Sequence, residues 1–443
     1  MSLRDSQNTF IRRTTFVATI RAAGLLCVFA LQVLLARLVD DSVQYGSYAW
    51  GQSLLFMAGA LACMGLPTVA GRFIASLGAH DNQQAIAAIH SKAIGLLLRS
   101  SAVLVLIALL ISLFWHEPPG GSHYRNVAIL ALLCAPAVSF ANLYQDLSRA
   151  RQWLGLALLP FFVFRPLLTA VLAVACWVLL QRALGATTVL GVVGLSLVVV
   201  VSIQAMLYHQ REQQLAAATP HTTQASLEYH PSRLFVTAMP VFFTRCAGLV
   251  ITYSNVLLVG FLAGPAAAGA YFAAERLAQL ASIPAAVVAA VNQQAMAGAH
   301  ASEDAVGLQK ITTQSAHGSL WPTLAVGVGL VVLSNPLLQL FHNDFADART
   351  VLIALVASNV VAVLMGPAQD VLIMTGRQRK IPRVMFISAA VHVISLVVLV
   401  PQIGALGAAL SSIASGLVAN IWLMSLAKRE AGISTTILGK RAA

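Results

Sequence analysis

Apolar stretches about as long as a bilayer is thick recur along the whole chain, and no other feature limits its folding so strongly. Roughly 20 apolar residues carry a helix across the hydrocarbon core. On that rule twelve spans are expected, at residues 15–38, 46–70, 93–114, 126–145, 153–180, 187–208, 234–262, 266–291, 317–340, 350–374, 384–400 and 403–426. The fifth is long, which leaves a tilted or re-entrant form open. With 58% hydrophobic and 9% charged residues, against about 45–50% and 25% in soluble domains, no fold could hide this surface from water. The expectation is an all-α polytopic membrane protein of about twelve transmembrane helices.

The net charge of +12 would suggest nucleic acid for a soluble chain. On a membrane chain it reflects cytoplasmic loops rich in Lys and Arg, and nucleic acid is excluded as a partner. Twelve spans put both termini on one side. Of the 27 Lys and Arg residues, eighteen then lie on the side of the termini, four (Arg37, Arg125, Arg182 and Arg349) on the other, and five within spans. This asymmetry places both termini in the cytoplasm, and shifting the count by one span would reverse it. Arg12 and Arg13 precede the first apolar run, and no clear small-residue cleavage site follows. The run reads as a retained first span. The five cysteines all fall in apolar segments without metal or CxxC spacing, as small core residues do.

Residues 209–233, the longest polar stretch, divide the chain near its middle into an N-terminal six-helix bundle, 1–208, and a C-terminal one with a cytoplasmic tail, 234–443. His209, His221 and His230 lie in this cytoplasmic linker at spacings that match no metal-ligand pattern. The two halves repeat each other. Arg21-Ala22-Ala23-Gly24-Leu25 matches Arg245-Cys246-Ala247-Gly248-Leu249, and Gly46-Ser47-Tyr48 matches Gly269-Ala270-Tyr271. Gln145-Asp146 matches Gln369-Asp370, and Arg151-Gln152 matches Arg377-Gln378, all at offsets of 223 to 226. With six spans in each half the repeat is parallel, which places a site between two bundles around a central cavity.

The charges inside the spans are costly, roughly 2.5–3.5 kcal/mol each on insertion scales. Arg21, Arg99, Arg165, Arg245 and Arg276 are there, with one internal acid, Glu275. A pore for cations would want the reverse. No carboxylate pair, nucleophile–base set or P-loop accompanies them, which argues against an enzyme and against ATP bound directly by this chain. Pro67, Pro160, Pro166, Pro240, Pro284, Pro322 and Pro367 lie within or beside spans, where they can kink helices.

Several motifs resemble one family. Tyr45-Gly46-Ser47-Tyr48, Gly65-Leu66-Pro67 and Arg72-Phe73-Ile74-Ala75 look like the first hairpin of polysaccharide exporters, as does Ala274-Glu275-Arg276-Leu277 after Gly269-Ala270-Tyr271. Thr375-Gly376-Arg377-Gln378 and Pro401-Gln402-Ile403-Gly404-Ala405-Leu406-Gly407-Ala408-Ala409 are the most family-like. The chain resembles the Wzx-type repeat-unit flippases for O-antigen and exopolysaccharide, in the multidrug/oligosaccharidyl-lipid/polysaccharide exporter superfamily. The resemblance implies two bundles around a V-shaped cavity in the bacterial inner membrane. It also implies passage of undecaprenyl-pyrophosphate-linked oligosaccharide from the cytoplasmic to the periplasmic leaflet, with polysaccharide polymerase machinery as a partner. The alternative within the superfamily is a multidrug cation antiporter, which a basic cavity suits poorly.

Under that resemblance the arginines meet the pyrophosphate, because guanidinium presents a planar, permanently charged fork to phosphate oxygens. Arg21 and Arg245, being repeat-equivalent, lead; Arg276 and Arg165 are further candidates. Glu275 is the candidate for coupling to a proton or sodium gradient, with no other cofactor and no bound metal expected. Asp146 and Asp370, matched by the repeat at the ends of the fourth and tenth spans, read as gate or helix-end ion pairs, or as solvated surface.

Overall fold

The computed structural model describes residues 3–78, 83–115, 124–218 and 233–436. In chain order the helices are α1 (Leu3–Leu38), α2 (Ser42–Ala62), α3 (Leu66–Gly78), α4 (Gln83–Phe114), α5 (Tyr124–Ala150), α6 (Leu154–Leu159), α7 (Arg165–Leu180) and α8 (Ala186–Ala218). Then follow α9 (Arg233–Ala263), α10 (Pro265–Ala281), α11 (Ile283–Ala301), α12 (Ala305–Val332), α13 (Ser334–Gln339), α14 (Arg349–Leu364), α15 (Ala368–Met374), α16 (Ile381–Ile403) and α17 (Ala405–Leu426). The protein is all-α and polytopic. Among the described residues ten helical stretches are long and apolar enough to span a membrane, and two further bent pairs, each taken as one span, bring the total to twelve.

The bends explain where single apolar runs become two helices. The run expected at 46–70 breaks between α2 and α3 with a bend of 46°, and the run at 266–291 breaks between α10 and α11 with a bend of 44°. At the first break Met64 and Gly65 take φ of +46° and +71°. A Cβ on Gly65 would stand 2.6 Å from the Ala238 carbonyl oxygen and 2.9 Å from the Phe242 nitrogen, so only glycine admits the backbone of α9 here. Pro67 then opens α3, where the lost N–H has no partner to forfeit.

The long fifth run is one continuous span, Leu154–Leu180. Between α6 and α7 lies a π-helical turn, Pro160–Phe164, in which the Arg165 amide reaches back to the Pro160 carbonyl. Pro160 and Pro166, at the two ends of this turn, each remove an α-helical donor, and a wider turn accommodates the loss. The tenth expected span divides likewise, into α14 and α15 around Gly366.

By internal packing the chain forms two compact units, residues 23–249 and residues 1–22 with 250–443. The first unit has a core of Leu66, Ile74, Ile89, Leu97, Leu143, Leu147 and Ala238, to which the start of α9 contributes. In the second unit Leu372, Ile381, Val384 and Leu423 pack together, beside a cluster of Met296, Leu308, Val371 and Ile433. These divisions fall inside α1 and α9, whereas the sequence suggests a boundary at 209–233. Part of that stretch is helical, since α8 runs to Ala218 and His209 stands within hydrogen-bond distance of the Tyr144 hydroxyl. His221 and His230 lie outside the described residues.

The repeat is visible in the order of elements. α1, the bent pair α2–α3, α4 and α5 in the first half correspond to α9, the bent pair α10–α11, α12 and α14–α15 in the second. The equal bends occur at corresponding places.

Candidate functional site

Arg245 belongs to the first unit and lies on the part of α9 that packs over the α2–α3 break. Its guanidinium is exposed, and Nη2 donates to the Thr68 hydroxyl at 2.6 Å. Thr68 in turn donates to Asp146 Oδ2 at 3.4 Å, and Arg149 Nη1 donates to Asp146 Oδ1 at 3.1 Å. Two residues singled out for separate roles, Arg245 and Asp146, are thus ends of one polar chain. The Gly65 break makes this possible by placing Thr68, in the first turn of α3, within reach of α9. Asp146 pairs with Arg149 on its own helix. Arg151 instead forms a two-pronged pair with Glu212 on α8, at 2.6 and 2.5 Å.

Arg165 is placed differently from the expectation of a cavity-lining side chain. It is 8% exposed, and its guanidinium lies 4.3 Å from the ring centroid of Phe161 and 5.2 Å from that of Phe56. Burial among aromatic faces accounts for a charge in the span without presenting it to a ligand. Arg21 is exposed on the first part of α1 and belongs to the second unit, the opposite assignment from Arg245.

In the second unit, Glu275 and Arg276 are both partly buried on α10. Arg276 lies 4.3 Å over the Phe272 ring and donates to Gln279 Oε1 at 2.8 Å. Glu275 makes no ion pair at bonding distance among the described residues. It lies within electrostatic range of Arg276 and of Tyr271, whose side chain is near Ser412. Asn255 donates to the same Ser412 at 3.2 Å.

The repeat gives this cluster a meaning that neither half shows alone. At the offset of 223 that relates Tyr48 to Tyr271, Gln52 corresponds to Glu275, while on α1 and α9, where Arg21 matches Arg245 at 224, Gln32 falls one residue from the position of Asn255. In the first unit these three residues close a neutral ring: Gln32 donates to Gln52 at 3.2 Å, Gln52 to Tyr48 at 2.8 Å and Tyr48 to Gln32 at 3.4 Å. The second unit keeps the tyrosine, has Asn255 close by on Ser412, and carries a carboxylate where the first has Gln52.

Asp370 on α15 accepts a bond from Gln293 Nε2 at 3.0 Å, where its repeat partner Asp146 has Arg149. With Gln293, Ser315 and Ser319 it borders a cavity of about 310 Å³. Beside it Asn292 donates to Ser315 at 2.7 Å.

A family described as polysaccharide biosynthesis protein matches residues 11–295, which contain both bent pairs, Arg245 and Glu275. The chain belongs to the polysaccharide biosynthesis protein family. No curated protein matches it in sequence. Among solved structures, an inward-facing multidrug-resistance MATE transporter of the MOP superfamily shares 16% identity with this family member, at a TM-score of 0.73 over 94% of this chain and 98% of that one. The lipid II flippase MurJ, in an inward closed conformation, shares 14% identity at a TM-score of 0.67 over 95% and 87%. A MOP superfamily transporter from Pyrococcus furiosus, described as having a binding pocket of reversed polarity, shares 15% at 0.66 over 95% of both chains. At such identities the likeness is one of fold.

Thr68, Gln293 and the Gln32–Tyr48–Gln52 ring escape a reading by charge, because neutral hydroxyls and amides in apolar helices carry no penalty large enough to draw attention. The repeat offset was the available signal for the ring: it points from Glu275 directly to Gln52.

Proposed function

We propose that this family member is a flippase that moves undecaprenyl-pyrophosphate-linked oligosaccharide from the cytoplasmic to the periplasmic leaflet of a bacterial inner membrane by alternating access. The observation that carries the reading is Arg245, an exposed guanidinium on a membrane-spanning helix, anchored by Thr68 at 2.6 Å rather than neutralised by a direct carboxylate partner. Such a group can give its remaining donors to phosphate oxygens. At an effective dielectric near 20, a charge pair at about 4 Å is worth about 4 kcal/mol. Two or three contacts of that size offset much of the headgroup's desolvation.

Arg245 and Arg21 are the headgroup residues in this reading, with Arg276 in support. Arg165 drops out of the set because its charge is held by two phenylalanine rings. Thr68 and Asp146 couple headgroup binding to the α2–α3 break, and Asp370 occupies the corresponding gate position on α15. Glu275 couples transport to a proton or sodium gradient, since it is a carboxylate at the position where the other half has the neutral Gln52. The family match and the fold shared with MurJ support a flippase. The MATE likeness makes a cation antiporter the second reading.

Reconstituted flipping of a fluorescent undecaprenyl-pyrophosphate oligosaccharide separates the two. The flippase reading expects transport by the wild type and its loss in a folded Arg245→Ala variant. Flipping that survives in the variant removes Arg245 from the site. No flipping by a folded wild type that exports a lipophilic cation moves the protein to the antiporter class.

A further inference from the structure

In the first unit a groove of about 550 Å³ runs between α8 and the stretch formed by α6 and the π-turn. Val200, Ile203, Leu207 and Arg211 line one side at spacings of three and four residues, hence on one face of α8. Leu156, Leu159, Pro160 and Phe164 line the other. Both walls are membrane-spanning segments, and Phe164 and Ile203 are 55% and 51% exposed. The groove therefore opens toward whatever surrounds the spans.

Its chemistry is apolar along the floor and cationic at one end. Pro160 has no N–H to give the Leu156 carbonyl, and Gln204 Nε2 supplies that bond at 2.9 Å. No backbone acceptor is left there to repel a hydrocarbon chain. Gly155 keeps the wall low: a Cβ there would meet only Leu159 Cδ1, at 3.9 Å, so protein packing does not demand the glycine. At the mouth two arginines have different fates. Arg151 is neutralised by its two bonds to Glu212. Arg211 is exposed, has no carboxylate at ion-pair distance among the described residues, and lies 5.6 Å from the ring centroid of Trp153. Trp153 is itself held edge-on against Tyr208, at 5.5 Å. A cation beside an indole at the end of an apolar channel matches a membrane interface.

We propose that this groove is a binding site for an anionic phospholipid of the bilayer, with one acyl chain between α6 and α8 and the phosphate at Arg211. The exposed guanidinium beside an indole selects an anionic headgroup, and the exposed apolar walls select a chain already present in the surrounding membrane. The site is independent of the transported substrate.

Native mass spectrometry of the purified full chain, with phosphatidylglycerol or phosphatidylcholine of identical acyl chains, tests it. In Arg211→Ala the occupancy by phosphatidylglycerol should fall about fivefold, the weight of one basic side chain at an anionic surface. Occupancy by phosphatidylcholine should stay unchanged, and Arg211→Lys should restore the preference. Gly155→Leu, which fills the groove, should lower both. Undiminished phosphatidylglycerol binding by Arg211→Ala overturns the proposal. So does a native membrane extract in which Gly155→Leu displaces a polyprenyl-pyrophosphate glycolipid and leaves phosphatidylglycerol in place, because the groove would then serve the substrate.

Discussion

A guanidinium in a lipid-facing sequence can be held in three ways, and this chain uses all of them. Arg165 is buried against two rings, Arg276 combines one ring with a neighbouring amide, and Arg245 rests on a hydroxyl that is shared with Asp146. Insertion cost marks all three equally, since it depends on charge and depth, and only the repeat sets Arg245 ahead. What separates them is the set of neighbours, and those come from far away: Thr68 is 177 residues from Arg245. Glu275 is singled out in the sequence by the charge pattern, as the one internal acid among the spans. Glu275→Gln reproduces the amide found at Gln52, so the variant is expected to fold. In proteoliposomes its transport rate should be the same with and without an imposed proton or sodium gradient, while the wild type responds to one of them. An undiminished gradient response in the variant excludes Glu275 from coupling.

Among the elements, the twelve apolar runs translate well into helices, because hydropathy over about 20 residues is the property that decides a span. Breaks within a run are another matter. Hydropathy is the same on both sides of Gly65, and the bend there depends on two left-handed residues and on the backbone of α9 pressing against them. Gly65→Ala would combine a strained φ of +71° with contacts of 2.6 and 2.9 Å to backbone atoms. A loss of about 1–3 kcal/mol is expected, read as a lower thermal midpoint of the purified protein. Gly95→Ala in α4, where a Cβ would meet nothing within 4 Å, should leave the midpoint unchanged or raise it. Equal midpoints for Gly65→Ala and the wild type would mean that the break tolerates a side chain. The π-turn of the fifth span was equally hidden, although Pro160 and Pro166 announce its two ends: prolines state that donors are missing, not how a helix will adjust.

At the scale of the molecule the parallel repeat was the most informative sequence signal. It predicted matching halves, and the halves do match in element order and in the angle of their bent pairs. It did not predict where the packing divides, because offsets between similar segments carry no information about which neighbours a helix chooses. That division leaves residues 1–22 with the second unit and 233–249 with the first. Covalent order and packing units are therefore interleaved. A chain severed between residues 219 and 232 would yield two polypeptides, one carrying residues 1–22 of the second unit and the other residues 233–249, whose Ala238 sits in the core of the first. Expressed separately, each fragment should be cleared by proteases. Co-expressed, they should complement one another, purify as a stoichiometric pair and recover transport. Independent stability of either fragment would show that the exchanged segments are dispensable to it. Complementation would make the peptide bond between the halves a convenience of synthesis.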